Sequence, residues 1–235
     1  MNKTIVVSGG TKGIGRAIIN KFASEGFDII ACARNAQDLN ALKETLSNDH
    51  QNIKVLTCKA DLSKIEEAKN FVDFVQSSVT SVDVLVNNTG TFVPGEIHAE
   101  EEGALEHMIN TNLYSAYHLS RGIIPMMIKE RSGDIFNICS VAGLKAYPNG
   151  GSYSISKFAL HGLSLGLREE LKSHGIRVTA VHPGATYTAS WEGVDLPEER
   201  FIRASDVAES IWSAHQMSKS TVIEELVIRP QLGDI

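Results

Sequence analysis

Ser8-Gly9-Gly10-Thr11-Lys12-Gly13-Ile14-Gly15 is the stretch of sequence that decides the fold. It follows an apolar run at residues 4–8 and opens a segment of helical period at residues 13–25. Glycines in such a turn let backbone N–H groups approach a pyrophosphate, and they aim the helix N-terminus at its negative charge. A glycine cluster also occurs in ordinary strand–helix turns. The stretch therefore predicts a phosphate-binding turn only if the rest of the chain alternates between strands and helices.

Strand-like and helical segments do alternate along the chain. Apolar runs predict seven strands, at residues 4–8, 28–33, 53–59, 82–87, 134–140, 177–182 and 221–228. Segments of helical period occupy residues 13–25, 37–47, 63–77, 103–129, 152–173 and 205–217. Most of the strands are apolar on both faces, as expected when helices cover both sides of a sheet. The pattern predicts an α/β protein with a doubly wound Rossmann fold and a seven-stranded, mainly parallel sheet.

Two local features refine this prediction. The helix at residues 63–77 opens with a capping box, Ser63-Lys64-Ile65-Glu66. Residues 184–203 lack any clear period, and long loops inside a compact domain are usually functional. We therefore interpret residues 1–235 as a single domain with a substrate lid at about residues 184–203.

Composition limits the classes of partner. A net charge of −6 without a basic cluster argues against a nucleic-acid surface. The start of the chain lacks a secretory signal and no run is long enough to span a bilayer, so we expect a cytoplasmic protein without a membrane partner. The three cysteines, Cys32, Cys58 and Cys139, are widely spaced and predict buried free thiols rather than disulfides or a metal site. The expected partner is a small molecule.

The spacing Gly9-x-x-x-Gly13-x-Gly15 resembles that of the short-chain dehydrogenase/reductase family. Further motifs of that family follow in order over nearly the whole chain: Asp61, Asn87-Asn88-Thr89-Gly90, Asn112, Ser140, Tyr153-x-x-x-Lys157 and Pro183-Gly184-Ala185-Thr186-Tyr187-Thr188. The sequence departs from the family pattern at Ser8, where threonine is more usual, and at Thr89, where alanine is. The resemblance implies a nicotinamide-dependent oxidoreductase.

The resemblance also implies which residues hold the cofactor. Asp61 and Leu62 would contact the adenine, Asn88 and Gly90 the ribose, and Thr188 the nicotinamide carboxamide. The full set of implied cofactor residues is Gly9, Thr11, Lys12, Gly13, Ile14, Gly15, Arg34, Asp61, Leu62, Asn88, Gly90, Tyr153, Lys157, Pro183, Gly184 and Thr188.

The residues at the end of the second strand indicate whether NAD or NADP binds. An acidic residue there binds the ribose hydroxyls of NAD, whereas a positive charge accommodates the 2′-phosphate of NADP. This chain has Ala33-Arg34 at that point, and Lys12 adds a second positive charge. Both side chains could also be ordinary solvated surface residues. Together they predict NADP(H).

The catalytic set is predicted to be Asn112, Ser140, Tyr153 and Lys157. Tyr153 and Lys157 lie one turn apart on the same helix, so the Lys157 ammonium, with the oxidised cofactor ring, is expected to lower the pKa of the Tyr153 phenol. Tyr153 would then donate a proton to a substrate carbonyl that Ser140 polarises. By the resemblance, Asn112 distorts its helix and holds a water that links Lys157 to solvent. The sequence predicts reduction of a ketone or aldehyde by NADPH without a metal.

The substrate is less closely defined. Residues 183–191 and 222–235 resemble the bacterial sepiapterin reductases, which favours a sepiapterin-like or other aromatic carbonyl, with Tyr147 and Trp191 as aromatic walls. Trp191 could instead only pack the lid onto the body. A 3-oxoacyl thioester reductase and a catalytically silent NADP-sensing protein are the alternative functions.

Two helices carry more apolar residues than one sheet face needs: Leu113, Tyr114, Tyr117, Phe158, Leu160, Leu163 and Leu167. Family members pair these helices across a two-fold axis, so we predict a homodimer or homotetramer. His161, roughly 12 Å along the helix from Tyr153, is interpreted as a packed or interface histidine. We assign Cys139 to the core.

Overall fold

A computed structural model describes residues 2–188 and 196–235, and it contains the predicted sheet. The strands are β1 (Thr4–Ser8), β2 (Asp28–Ala33), β3 (Val55–Lys59), β4 (Val84–Asn87), β5 (Gly133–Ile138), β6 (Ile176–Pro183) and β7 (Glu225–Ile228). Their order is β3-β2-β1-β4-β5-β6-β7. Every strand pair of this sheet is parallel. The doubly wound Rossmann fold predicted from the sequence is confirmed.

The helices also follow the prediction, with one interruption. They are α1 (Gly13–Ser24), α2 (Ala36–Asp49), α3 (Ile65–Ser78), α4 (Ala104–Ile109), α5 (Ser115–Glu130), α6 (Gly151–Leu171) and α7 (Ala204–His215). The long helix predicted at residues 103–129 is divided into α4 and α5 by a π-helical segment, Asn110–Tyr114. In the described part of the chain, no helix is both long enough and apolar enough to cross a membrane.

The core lies on both faces of the sheet because side chains alternate along each strand. Ile5 and Val7 of β1 pack on one face with Phe22 of α1 and neighbours from α2 and α7. Val6 points to the opposite face, where it joins a second cluster that includes Phe71 of α3 and residues of α5 and α6. The two helical layers explain why the strands are apolar on both sides.

The capping box predicted at Ser63 is not formed. Helix α3 begins at Ile65, and its N-cap residue, Lys64, makes no side-chain cap hydrogen bond. The Ser63 hydroxyl instead donates to Asp61 Oδ1 at 2.7 Å, and the Asp61 N–H donates to Glu67 Oε2 at 2.7 Å. A carboxylate just upstream competes for the serine hydroxyl, and so the turn forms ahead of the helix.

Strand β7 is shorter than the predicted run at residues 221–228, because only Glu225–Ile228 pair with β6. Cys58 is partly exposed, which corrects its assignment as a buried thiol, whereas Cys32 and Cys139 are buried and all three are free.

The apolar residues expected to form a free face on two helices fall into two groups. Leu160 and Leu167 are buried in the core, and Leu113 and Leu163 pack against it, so these four do not contribute to a free surface. Tyr114, Tyr117 and Phe158 are exposed. Ile155 and Leu165 of α6 are exposed as well. The free apolar face is therefore smaller and more aromatic than the sequence indicates.

Candidate active site

A cavity of about 1000 Å³ lies at the carboxyl ends of the strands. The strand order reverses between β1 and β4, and crevices at such a point are the usual ligand sites of open α/β sheets. Nearly all of the predicted site residues line this cavity: Gly9, Thr11, Lys12, Gly13, Ile14, Arg34, Asp61, Leu62, Asn88, Gly90, Ser140, Tyr147, Tyr153, Lys157, Pro183, Gly184 and Thr188. Gly15 and Asn112 lie behind its wall, and Trp191 lies outside the described residues.

The glycine turn has a backbone that other residues cannot adopt easily. Gly9 and Gly13 have φ angles of +67° and +53°. A Cβ atom added to Gly15 would lie 2.3 Å from the Gly9 carbonyl oxygen, so the first turn of α1 packs directly on the loop. These glycines leave an open cradle of backbone in front of a helix N-terminus, which is the arrangement that binds a pyrophosphate.

Ser8, the last residue of β1, and Asn88, which follows the neighbouring strand β4, brace that cradle. The Ser8 hydroxyl accepts hydrogen bonds from the Asn88 and Thr89 N–H groups, both at 2.9 Å. In return, the Asn88 amide donates to the carbonyl oxygens of Ser8 and Gly9 at 3.0 and 2.9 Å. The serine thus supplies the hydroxyl that the more usual threonine would supply. The Asn88 side chain is committed to the loop, although the residue also lines the cavity.

The two predicted phosphate partners lie at one end of the cavity. Arg34 is exposed at the carboxyl end of β2. The Lys12 ammonium, also exposed, lies 3.2 Å from the carboxylate of Asp38 in the first turn of α2. Sequence reasoning missed Asp38, and only the position of α2 beside the glycine turn reveals it. Its carboxylate partly neutralises one of the two cations.

At the other end of the cavity, Tyr153, Ser140 and Lys157 come together. Tyr153 and Lys157 lie on α6, and the Lys157 Nζ atom is 5.8 Å from the centre of the Tyr153 ring. The same ammonium donates a hydrogen bond to the carbonyl oxygen of Ile138, the last residue of β5, at 2.9 Å. Ser140 follows two residues later, with its hydroxyl accepting from the Ala142 N–H at 3.1 Å.

Burial sets the proton affinities of this group. It raises the pKa of Tyr153 to about 12, and a hydrogen bond between the Ser140 and Tyr153 side chains acts in the opposite direction without cancelling it. Burial lowers the pKa of Lys157 to about 8, because its ammonium is removed from water. Lys157 is not among the groups that shift the tyrosine pKa in the chain alone, so the expected lowering by Lys157 is not found there. Tyr153 is a protonated phenol at neutral pH.

Asn112 lies in the π-helical segment between α4 and α5, fully buried. Its side chain accepts from the Thr91 N–H at 2.7 Å and donates to the Ser156 hydroxyl at 2.8 Å. A Cβ atom on Gly90 would lie 3.3 Å from Asn112 Oδ1 and 3.4 Å from Lys157 Nζ. Gly90 thus leaves space for two polar groups to approach the loop that follows β4.

Comparison with known proteins agrees with this geometry. Residues 3–198 match the family model described as short chain dehydrogenase. The chain belongs to this family. A sepiapterin reductase from Chlorobaculum tepidum is 31% identical to it over 100% of this chain and 99% of the relative. A metagenomic short-chain oxidoreductase solved with NADP is 30% identical, with a TM-score of 0.84 and 97% of each chain covered.

A second similar structure is that of a reductase. The L-sorbose reductase of Gluconobacter frateurii, complexed with NADPH and L-sorbose, is 25% identical to this chain. Its TM-score is 0.90, and the match covers 97% of this chain and 95% of the reductase. The match to the family model confirms the predicted family.

The Tyr153 end of the cavity contains an aromatic residue that sequence reasoning missed. The Phe92 ring meets the Tyr153 ring edge-on, with centroids 4.8 Å apart and planes at 72°. Phe92 and Tyr147 both line the cavity, and both are exposed. Phe92 follows β4 closely, so its position after a strand end was the available signal.

The predicted lid is described at both ends, residues 184–188 and 196–203. These arms are joined, because the Tyr187 N–H donates to the Ile202 carbonyl at 2.8 Å and the Ile202 N–H donates to the Ala185 carbonyl at 2.9 Å. The C-terminal residues Asp234 and Ile235 also line the cavity. They reach it because β7 pairs with β6 and directs the end of the chain towards the site, which no local sequence pattern indicates.

Proposed function

We propose that this short-chain dehydrogenase is an NADPH-dependent carbonyl reductase, a single-domain cytoplasmic enzyme that converts a ketone or aldehyde to an alcohol. The observation that carries the proposal is the convergence of Tyr153, Ser140 and Lys157 at one end of the cavity that begins at the glycine turn. A phenol held protonated beside a hydroxyl and an ammonium suits protonation of a developing alkoxide.

The residues present fit a dinucleotide. Gly9, Gly13 and Gly15 leave a backbone cradle that a Cβ atom would fill, and the cavity runs from there to Tyr153. Lys12 and Arg34 are the side chains that would hold a 2′-phosphate, and two of the similar structures were solved with NADP or NADPH. Thr188, whose methyl group lies 3.0 Å from a Cβ built on Gly13, would hold the nicotinamide end. When bound, the reduced cofactor supplies the hydride.

Each catalytic side chain has a separate task in the proposed reaction. Tyr153 donates its phenolic proton to the substrate oxygen, and Ser140 donates a hydrogen bond to that oxygen as negative charge builds. Lys157 stabilises the phenolate that Tyr153 becomes. Asn112 connects the Thr91 backbone to the Ser156 hydroxyl next to Lys157, and so it holds the π-helical segment in place. No step requires a metal.

We further propose an aromatic or sepiapterin-like carbonyl as the substrate. Phe92 and Tyr147 provide flat apolar surface beside Tyr153, which favours stacking on a ring. The 31% identity with a sepiapterin reductase supports the same choice. Trp191 is proposed as a third aromatic contact.

The proposal is tested with purified enzyme and a panel of aromatic, thioester and small aliphatic carbonyls, measured by NADPH oxidation with NADH in parallel. We expect the highest kcat/KM for an aromatic carbonyl with NADPH. Phe92→Ala and Trp191→Ala should reduce kcat/KM for aromatic substrates much more than for aliphatic ones, because only a flat ring loses a stacking partner. Equal losses in both classes would show that these aromatic residues only support the fold of the site.

The cofactor assignment has its own test. Replacing Ala33 by Asp and Arg34 by Ser adds a repelling carboxylate and removes a phosphate partner, so preference should shift from NADPH towards NADH. If the wild-type enzyme already prefers NADH, the roles proposed for Arg34 and Lys12 are wrong.

We also propose that two copies pair through the exposed face formed by Tyr114, Tyr117, Ile155, Phe158 and Leu165. Exposed aromatic and aliphatic side chains grouped on adjacent helices are typical of a homo-oligomer interface. Light scattering at micromolar concentration should give a dimer or tetramer, and Phe158→Glu should give a monomer. A monomeric wild-type protein would contradict the proposal.

A further inference from the structure

Three side chains with metal-ligand chemistry meet close to Ser140. They are His161 of α6, His182 of β6 and Glu225 of β7, and their ligand atoms all lie within 4.8 Å of one another. No other group of three histidine, cysteine or acidic side chains is this compact among residues 2–188 and 196–235. The three residues come from different elements, so only the packing of α6 on the sheet brings them together.

The tautomer of His182 is fixed by its surroundings. Its Nδ1 atom lies 3.0 Å from the Ser140 carbonyl oxygen, which can only accept, so Nδ1 carries the proton in this hydrogen bond. The other ring nitrogen, Nε2, is then an acceptor. His182 has an exposed fraction of 0%, and this Nε2 atom has no hydrogen-bond partner. A buried acceptor without a donor is uncommon in native structures, so this nitrogen is a candidate ligand for an ion.

His161 and Glu225 complete the group towards solvent. The His161 Nε2 atom is 3.1 Å from Glu225 Oε1, and the His161 and His182 rings meet edge-on with centroids 4.7 Å apart. The side chains of His161 and Glu225 are 16% and 41% exposed. The cluster therefore has one fully buried ligand and an open side through which an ion and a water molecule can enter.

We propose that His161, His182 and Glu225 form a binding site for a Zn²⁺ ion. Two imidazole nitrogens and a carboxylate oxygen are a donor set that Zn²⁺ prefers, and solvent supplies the fourth position. The hydrogen bond from His182 Nδ1 to a backbone carbonyl is the outer contact that metal-bound histidines usually make. The ion satisfies the His182 acceptor and displaces the proton between His161 and Glu225.

The site takes no part in the proposed reduction. It joins the edge strand β7 to β6 and α6, and through the His182 ring it holds the backbone of Ser140. One competing charge is Lys157, whose ammonium acts electrostatically on His182. The proposed ion therefore links α6, β6 and β7 next to the active site.

The test uses the full-length protein after treatment with a chelator. Zn²⁺ is titrated in competition with a chromophoric chelator, and Co²⁺ is added separately as a spectroscopic probe. We expect one saturable Zn²⁺ site per chain and the visible absorption of tetrahedral Co²⁺ with nitrogen and oxygen ligands. His161→Gln and Glu225→Gln, both near the surface, should each weaken Zn²⁺ binding by at least about tenfold. Their unfolding temperatures without metal verify that both variants fold.

His98→Gln is the matched control. His98 is exposed and lies 3.7 Å from Glu96, so it offers the same pair of groups without a buried histidine. The His98→Gln variant should bind Zn²⁺ as tightly as the wild-type protein. The proposal is overturned by a wild-type protein without saturable Zn²⁺ binding, by unchanged affinity in both His161→Gln and Glu225→Gln, or by a Co²⁺–thiolate band that assigns the ion to a cysteine.

Discussion

Two charged side chains lie buried at opposite ends of β5, and they differ in how well their charges are paired. At the amino end, the Asp134 carboxylate is bound by Arg177 through Nε at 2.6 Å and Nη2 at 2.7 Å, and by His215 at 2.5 Å. Burial alone would raise the pKa of Asp134, but the hydrogen bonds from His215 and Arg177 outweigh it and keep the pKa below its usual value. This charge is fully compensated.

At the carboxyl end, the Lys157 ammonium donates to a single carbonyl, that of Ile138. Within the described part of the chain, no carboxylate lies within ion-pair distance of it. Its pKa falls to about 8 because no ion pair offsets the effect of burial. The contrast separates a charge that stabilises the fold from one that we propose serves the chemistry, since perturbed and poorly paired groups collect at functional sites.

The largest effect is expected at the amino end. Asp134→Ala leaves Arg177 and His215 without their common partner, and breaking a buried ion pair in this way costs about 3–5 kcal/mol of unfolding free energy. Urea denaturation measures this loss, and activity per folded molecule should be unchanged. Glu66→Ala, which removes an exposed ion pair with Lys69, is the control and should leave stability nearly constant. A stability loss as small as that of the control would show that Asp134 is not a stabilising centre.

At the carboxyl end, the expected loss is catalytic. Tyr153→Phe removes the proposed proton donor, so turnover should fall by at least about 100-fold, equivalent to roughly 2.7 kcal/mol. Its unfolding free energy should not decrease, because a buried hydroxyl is removed without creating a new unpaired charge. NADPH affinity, followed by fluorescence, should persist. Near-normal turnover would remove Tyr153 from the mechanism.

A smaller effect is expected from pH. Lys157 has a lowered pKa of about 8, so it is charged below that pH and neutral above it. The rate of carbonyl reduction should therefore fall by roughly tenfold per pH unit as the pH rises beyond about 8, while Tyr153 remains protonated. Lys157→Arg keeps its charge at high pH and should give a lower but flat profile. If the rate begins to fall at the same pH in both proteins, the titrating group is not Lys157.

The smallest effect concerns Asp38, which pairs with Lys12 at the cofactor end of the cavity. Asp38→Asn releases the ammonium for a phosphate, and exposed pairs contribute up to about 1 kcal/mol, so NADPH should bind up to about fivefold more tightly. NADH affinity should change little. Asp49→Asn, at the exposed far end of the same helix, is the matched control. An equal increase in the affinities for NADPH and NADH would indicate that the substitution changes the shape of the glycine turn rather than the charge around Lys12.

Local signals predicted much of this molecule. Strand β1 and strand β2 begin and end at the predicted residues, because apolar runs bounded by polar turns leave little freedom. The glycine turn was also predictable. Gly9 and Gly13 have positive φ angles, which glycine adopts far more easily than other residues, so the turn is visible in the sequence. The capping box at Ser63 did not form because Asp61, two residues earlier, binds the same hydroxyl, and the four-residue motif does not include that competitor.

Contacts between distant segments could not be predicted in this way. Phe92 against Tyr153, Asp38 beside Lys12, and the His161, His182 and Glu225 cluster each join residues from separate elements. The sequence pattern predicts Leu160 and Leu167 on a free apolar face, but both are buried in the core. An apolar pattern shows that one side of a helix is apolar, and it does not show what covers that side.

The sequence by itself determined the order of strands and helices, the glycine turn and the Tyr153 and Lys157 pair, because these depend on local periodicity, on backbone freedom and on spacing along one helix. Only the tertiary structure decided which charges are compensated. Whether Asp134 meets Arg177 and His215, and whether Lys157 meets any carboxylate, depends on how sheet and helices pack, and burial then sets the pKa of each group.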